Sequence, residues 1–117
     1  MNTVNLIGRL VRDPESRVTT TQVVTTSFTL AVDRKFKDKS GNKLTDFLSV
    51  VCWRTTAEFV VKYAVKGTMV SVVGEIQTRN YDDKDGKKVY VTEVVADEIS
   101  ILAGWKGSDK GGGFFEE

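Results

Sequence analysis

The stretch GEIQTRNYDDKDGKKVYVTEVV, residues Gly74 to Val95, decides the fold of this chain because it has the pattern of a long β-hairpin. Side chains alternate between the two faces of a strand, so Arg79 and Tyr81 on the first arm share one face. Asp85 and Gly86 form a turn signal, since glycine accepts the positive φ that tight hairpins need. The return arm is rich in β-branched residues, which favours a half-buried strand. The sequence therefore predicts a hairpin with a basic and aromatic face and a charged tip that projects beyond the folded body.

A second loop repeats the chemistry of this tip. Phe36 begins the run FKDKSGNK and Tyr81 begins the run YDDKDGKK, so both read aromatic-x-Asp-Lys-x-Gly-x-Lys. Turn geometry and solubility alone favour glycine, aspartate and lysine at any hairpin tip. They do not account for an aromatic residue at each strand exit. The repeat therefore indicates two loops with a related role.

The composition describes a single domain without a disulfide or a zinc site. A chain of 117 residues and 13.0 kDa is long enough to bury a core of its own and too short for a second domain. One cysteine excludes an internal disulfide, and the absence of histidine makes a zinc site implausible. The net charge is only +1, so a polyanionic partner must be argued from where the basic residues lie. No signal-like or membrane-spanning run is present, which predicts a cytoplasmic protein without a membrane partner.

Alternating hydrophobic residues predict five strands. They cover Thr3 to Val11, Ser27 to Phe36, Leu44 to Trp53, Thr68 to Tyr81 and Lys88 to Leu102. Gly8 inside the first strand indicates a bend or bulge at a barrel corner, and the last strand is expected to bend near Asp97. The Thr-rich stretch 18–26 has strand propensity without clean alternation, so it is predicted as a short strand with a loop.

One helix is predicted between the third and fourth strands, over residues 55–66. Thr55 and Glu58 have the spacing of a capping box at its start, and Gly67 suits a left-handed cap at its end. The apolar stripe that would lie against the sheet consists of Ala57, Val60, Val61 and Ala64. Five strands with a single helix at that place predict an all-β OB-fold, a Greek-key barrel, over residues 1–105.

Motifs of catalysis and cofactor binding are missing from the sequence. There is no histidine for a neutral-pH base, no phosphate-binding Gly-x-x-x-x-Gly-Lys-Ser/Thr run and no Cys-His pair. The stretch before Gly86 resembles part of a calcium loop. Aligning Gly86 with the obligatory glycine, however, puts Tyr81 at the first ligand position and Thr92 where a bidentate Glu is required. We therefore expect a protein that is not an enzyme and holds no metal or other cofactor.

What remains is an aromatic and basic face on strands two to four and their loops. Its predicted base-stacking residues are Phe36, Phe47, Trp53 and Tyr81. Its predicted phosphate-contacting residues are Arg9, Arg34, Lys35, Arg54, Lys66, Arg79, Lys84, Lys87 and Lys88. Flat rings with cations between them suit unpaired nucleobases joined by phosphates. One or two of the aromatic residues could instead belong to the barrel core, and Trp53 is the first candidate for that role.

The order of motifs along the chain resembles the bacterial single-stranded DNA-binding protein (SSB) family. The motifs are Val4-x-Leu6-Ile7-Gly8-Arg9-Leu10-x-x-Asp13-Pro14-Glu15, Phe28-x-Leu30-Ala31, Phe36-Lys37-Asp38-Lys39, the Glu58-Lys66-Gly67 helix frame and Gly74-Glu75-Ile76-Gln77-Thr78-Arg79. The resemblance covers residues 1–102. It implies an OB-fold homotetramer around which single-stranded DNA wraps without sequence preference, in replication, recombination and repair at the nucleoid. The family's stacking positions fall on the same four aromatic residues, and three of these are commonly Trp in the family.

Two other functions would use the same aromatic face. One is an RNA chaperone on the same barrel, since nothing in the sequence reads a 2′-hydroxyl and so separates RNA from DNA. The other is a protein-interaction module whose exposed rings dock a partner chain.

The C-terminal residues 106–117 are predicted to form a short flexible tail. The resemblance implies a tail that ends in an acidic run closed by an apolar residue and recruits replication and repair proteins. Here Phe114 and Phe115 precede Glu116 and Glu117, so that order is reversed. We therefore expect this chain to recruit such partners poorly.

Overall fold

Six strands and one helix make up the described part of the chain. The computed structural model describes residues 1–107, so the predicted tail lies outside the described residues from position 108 onward. The elements are β1 (Val4–Leu10), β2 (Glu15–Val18), β3 (Val24–Asp33), β4 (Thr45–Trp53), α1 (Arg54–Tyr63), β5 (Met69–Asp82) and β6 (Lys88–Ala103). The ten-residue helix α1 is too short to cross a membrane, and residues 1–107 contain no other helix that could do so.

The sheet closes on itself to form a barrel. Its strand order is β1-β5-β6-β4-β3-β2, and β1 also pairs with β3 through Arg9 and Leu10. The strands β1, β5, β6, β4 and β3 therefore form a closed ring, in which only β4 and β6 run parallel. A five-stranded ring with a helix between β4 and β5 is the OB-fold architecture, so the predicted fold class and the place of the helix are confirmed.

The short strand β2 is an addition to the five predicted strands. It pairs along one edge of β3, from Glu15 opposite Ser27 to Val18 opposite Val24. The sequence placed a short strand within residues 18–26, whereas β2 lies earlier and most of that stretch forms a turn and the start of β3. All four β2 residues are exposed, so hydrophobic alternation carried no signal for them.

The core fills the barrel and is closed at one end by α1. The buried side chains from the strands include Leu10, Phe28, Leu30, Val50, Cys52, Val70 and Val72. Ala57, Val60 and Ala64 on the helix are also buried, which confirms the predicted apolar stripe, while Val61 is half-buried. Burial of apolar surface of this kind is the main stabilising contribution to the fold.

The predicted ends of the helix are wrong. The N-cap is Trp53, in extended conformation and without a side-chain cap, so Thr55 lies inside the first turn and Thr55 and Glu58 form no capping box. The helix begins one residue after β4 because Arg54 takes a left-handed conformation, φ 56°, that turns the chain at once. It ends at Tyr63 because Ala64 is already extended, and Gly67, with φ 89°, lies in the turn that follows.

Two glycines lie where strands approach most closely. A Cβ on Gly8 would collide with the carbonyl oxygen of Ala31, at the point where β1 changes partner from β5 to β3. A Cβ on Gly74 would collide with the carbonyl oxygen of Val95, next to a register shift in which Asp97 is the extra residue. The irregularity predicted near Asp97 is therefore confirmed, whereas the pairing of β1 with β5 runs through Gly8 without a register shift.

Candidate nucleic-acid interface

The outer face of β4 carries two of the predicted stacking residues. Leu48, Val50 and Cys52 point inward, so the alternating residues Phe47 and Trp53 point outward. Their exposed fractions are 65% and 45%, which excludes Trp53 from the core. Phe47 lies opposite Ala31 and Trp53 opposite Thr25 on β3, so both rings rest on small or polar neighbours.

The hairpin of β5 and β6 extends this outer face. The two strands stay paired as far as Asp82 opposite Lys88, which confirms the predicted hairpin. The Cζ atom of Arg79 lies 5.9 Å from the ring centre of Tyr81, a cation–π contact on one face of β5. Arg79 Nε also donates to Glu93 Oε2 at 3.0 Å. That hydrogen bond raises the pKa of Arg79, so the guanidinium is held charged and in place.

A groove of about 540 Å³ joins the two halves of the face. It is lined by Glu15, Arg17, Thr25, Ser27, Ser49, Val51, Trp53, Gln77, Arg79, Glu93 and Val95. It therefore brings Trp53 of β4 and Arg79 of β5 to one depression across β6. The sequence did not identify Arg17 as a candidate. It belongs to the groove because it lies opposite Thr25, which is itself opposite Trp53.

The loop between β3 and β4 carries the fourth aromatic residue. Phe36 is 79% exposed there, the most exposed of the four rings. Arg34, before it, donates through Nε and Nη2 to the two carboxylate oxygens of Asp46, each at 2.9 Å. The hydrogen bond from Arg34 is the main cause that lowers the pKa of Asp46. Arg34 thus forms an ion pair with Asp46, whereas Lys35 is exposed in the loop.

The remaining predicted cations occupy three places. Lys84, Lys87 and Lys88 lie at or beside the exposed tip of the β5–β6 hairpin. Arg54 follows Trp53 directly. Arg9 lies two strands from Phe47, across Ala31, and its Nη1 donates to the carbonyl oxygen of Gly67 at 2.8 Å, beside Lys66. Arg9 and Lys66 are therefore neighbours of each other and are not part of the groove lining.

Tyr90 is an exposed ring that the sequence did not single out. It is 75% exposed and lies opposite Asn80, so it belongs to the face of the hairpin that does not carry Tyr81. Ile76, on the same face, is 45% exposed because this part of the hairpin has passed the end of the barrel. Alternation gives the face of such residues but not whether that face is covered.

A comparison with known sequences identifies the family of this chain. The profile described as the Single-strand binding protein family matches residues 1–102. The chain belongs to this family. A single-stranded DNA-binding protein of Oceanobacillus iheyensis is 47% identical over 117 residues, covering 97% of this chain and 73% of the relative. Single-stranded DNA-binding protein 1 of Streptococcus pyogenes is 50% identical over 102 residues, covering 87% of this chain and 78% of the relative.

Membership of the Single-strand binding protein family confirms the resemblance drawn from the motifs. A third relative, the single-stranded DNA-binding protein of Enterococcus faecalis, is 45% identical over 118 residues, and the match spans 63% of its length. Within residues 1–107, no three His, Cys, Asp or Glu side chains come together in a way that could hold a metal ion.

Proposed function

We propose that this chain binds single-stranded DNA without catalysing a reaction and with little dependence on sequence. The observation that carries the proposal is the continuous outer face on which Phe47, Trp53, Arg79 and Tyr81 are all solvent-accessible. Every base has a π face, so stacking on these rings tolerates any sequence, at about 1 to 3 kcal/mol per base. Phe36 extends the set at the β3–β4 loop. The names of the relatives support this assignment.

Phosphate contacts are assigned to the basic residues around the rings. They comprise the nine cations predicted from the sequence, with Arg17 of the groove as a tenth. Glu15 and Glu93 also line the groove, and Glu93 is paired with Arg79. Basic residues therefore have to outnumber acidic ones along the path of the backbone. The β3–β4 loop supplies an excess, with Lys37, Lys39 and Lys43 against Asp38, whereas the β5–β6 tip carries three lysines and three aspartates.

A homotetramer is part of the proposal. One edge of β1 pairs with β5 over Val4 to Arg9, whereas on the other side only Arg9 and Leu10 pair with β3. Within residues 1–107, the edge from Val4 to Gly8 is thus open, and Ile7 beside it is 59% exposed. An open strand edge is covered by pairing with another chain, and a second copy provides that cover symmetrically. The Leu48 side of β4 faces the core together with Val50 and Cys52, so β1 is the surface that we propose for the contact between copies. Light scattering that gives a monomer at micromolar concentration would contradict the tetramer.

Cellular roles follow from single-strand coating. The protein would act at the nucleoid in the cytoplasm, in replication, recombination and repair.

The deciding experiment is a titration with oligo(dT) followed through tryptophan fluorescence. The chain has two tryptophans, and Trp105→Phe leaves Trp53 as the reporter in the groove. Stacking on Trp53 should quench its emission, and the binding constant should fall with salt by about 0.7 in logarithmic slope per phosphate contacted. Absence of binding to oligo(dT) would favour a protein-interaction module instead. Tighter binding of the matched oligo(U) in competition would identify an RNA-binding protein.

A further inference from the structure

The two loops that the sequence showed to be alike are closed by the same hydrogen bonds. In the β3–β4 loop, Asp38 N donates to Asn42 O at 3.0 Å and Gly41 N donates to Asp38 O at 3.0 Å. In the β5–β6 loop, Asp83 N donates to Lys87 O at 2.9 Å and Gly86 N donates to Asp83 O at 3.0 Å. Gly41 and Gly86 have φ of 84° and 79°.

The carboxylates play the same part in both loops. Asp38 Oδ1 accepts from the backbone N–H groups of Ser40 at 2.9 Å and Asn42 at 2.8 Å. Asp83 Oδ1 accepts from those of Asp85 and Lys87, both at 2.9 Å. Each aspartate therefore fixes the position of two backbone N–H groups, and these hydrogen bonds keep the tip closed. The hydrogen bond from the Asn42 backbone is the main cause that lowers the pKa of Asp38, so this carboxylate is charged at neutral pH.

Each closed tip holds the same two ligand-binding groups. An exposed ring lies two residues before the aspartate, Phe36 in one loop and Tyr81 in the other, with exposed fractions of 79% and 48%. An exposed lysine follows the aspartate directly, Lys39 or Lys84. A negative charge at this position opposes phosphate binding through its field. Its presence in both tips is explained if the order that it imposes matters more than the charge.

We propose that Asp38 and Asp83 are positioning residues of two equivalent nucleotide subsites, each taking one base on the ring and the adjoining phosphate on the lysines of its tip. This inference rests on the proposed function. A tip that is ordered before the ligand arrives loses less conformational entropy on binding, so it binds more tightly at equal charge.

Three variants of the second tip separate position from charge. Asp83→Ala and Asp85→Ala each remove one negative charge, but only Asp83 supplies the two accepted hydrogen bonds. Asp83→Asn also removes the charge and keeps an oxygen that can accept both bonds. We expect Asp85→Ala and Asp83→Asn to bind oligo(dT) at least as tightly as the wild type. Asp83→Ala should bind about two- to ten-fold more weakly, the range that ordering one or two side chains costs.

The outcomes distinguish this inference from the function beneath it. If Asp83→Ala binds as tightly as Asp85→Ala, the carboxylate acts only as a charge and the inference is wrong. If the wild type itself does not bind oligo(dT), the proposed function is wrong. Urea unfolding of all three variants checks that a loss of affinity is not a loss of folded protein.

A second test exchanges the tips. The double variant Ser40→Asp/Asn42→Lys converts DKSGNK at residues 38–43 into the DKDGKK of residues 83–88 without changing the net charge. It removes only the longer bond of 3.3 Å from Asn42 Nδ2 to Asp38 Oδ2. Equivalent subsites require affinity within about three-fold of the wild type, or less than 1 kcal/mol. A larger loss would show that the two tips have different roles.

Discussion

The side-chain amide of Asn2 hydrogen-bonds both backbone groups of Ile76. Asn2 Nδ2 donates to the Ile76 carbonyl oxygen at 2.8 Å, and the Ile76 N–H donates to Asn2 Oδ1 at 3.0 Å. The backbone pairing between β1 and β5 ends at Val4 opposite Gly74. The Asn2 side chain therefore makes the next pair of hydrogen bonds to β5, which a strand backbone would otherwise make. It lies where the β5–β6 hairpin leaves the barrel, and it therefore braces the base of the arm that carries Arg79 and Tyr81.

Replacing Asn2 by alanine should loosen that base. Both bonds are exposed, so we expect a loss of about 0.5 to 1 kcal/mol in the free energy of unfolding, measured in urea. Asn5→Ala, at an exposed position nearby on β1, is the matched control and should stay near the wild type. Equal stability of the two variants would show that the Asn2 bonds are replaced by water without cost.

Gly8→Ala should destabilise the barrel much more. The added Cβ would meet the Ala31 backbone, which cannot move aside as a flexible side chain could. We expect the free energy of unfolding to fall by about 1 to 3 kcal/mol, the usual cost of overpacking, and the midpoint of thermal unfolding to fall with it. Gly41→Ala is the variant for comparison, because no atom lies within 4 Å of the added Cβ and only the positive φ disfavours alanine at this position. A Gly8→Ala protein as stable as the wild type would contradict the close approach of β1 and β3.

Alanine at each of the four rings should weaken DNA binding and leave the fold intact. Phe36, Phe47, Trp53 and Tyr81 are 45% to 79% exposed, so their removal takes little from the core. We expect a loss of about 1 to 3 kcal/mol in binding free energy per ring, by fluorescence anisotropy with labelled oligo(dT). Tyr90→Ala is the control, since this ring is 75% exposed on the other face of the hairpin. If Tyr90→Ala weakens binding as much as Tyr81→Ala, DNA does not follow the groove face.

Arg17→Ala should lower the salt dependence of binding. One phosphate contact fewer corresponds to a decrease of about 0.7 in the slope of log K against log salt. Lys62→Ala removes the same charge from α1, where Lys62 lies 5.4 Å from the ring centre of Tyr63 and is not part of the groove lining. The slope of this control should not change. If the slope of log K against log salt is the same for both variants, Arg17 attracts DNA only through its long-range charge and contacts no phosphate.

Acid should weaken the β3–β4 hairpin. Asp33 accepts from Thr45, Asp38 from Asn42 and Asp46 from Arg34, and each bond lowers the pKa of the carboxyl below its ordinary 3.8. A lowered pKa gives stability that is present above the ordinary value and is lost as the pH falls through the lowered one. Carbon-detected NMR titration should therefore find these three midpoints below 3.8, and Arg34→Gln should return that of Asp46 towards it. A wild-type midpoint for Asp46 at or above 3.8 would contradict the ion pair.

Much of the barrel could be predicted because its strands alternate cleanly. The alternation along β4 alone places Phe47 and Trp53 on one face of the strand and Leu48 and Val50 on the other. This assignment needs no knowledge of the partner strands. The helix ends failed for the opposite reason. The capping pattern at Thr55 is a local preference, whereas the start of α1 is set by a left-handed Arg54 that the junction with β4 imposes.

The parts of the site that escaped prediction depend on register between distant strands. Arg17 enters the groove only through its pairing with Thr25, and the exposed strand β2 gives no periodic signal. Arg34 reaches Asp46 because Val32 and Asp46 are opposite each other. Arg79 reaches Glu93 diagonally across β5 and β6. Such neighbours follow from tertiary pairing and leave no mark within a sequence window.

The position of β6 has a consequence for how the protein is made. It is the last of the six strands to leave the ribosome, yet it lies between β5 and β4 in the ring. Until it emerges, a nascent chain has β4 and β5 with unpaired edges, and the barrel cannot close. Its pairing with β4 joins residues far apart in the sequence, and such contacts form slowly. The barrel therefore cannot fold until the chain has emerged from the ribosome to about residue 103. Chaperones would be expected to bind the exposed strand edges of the nascent chain before that point.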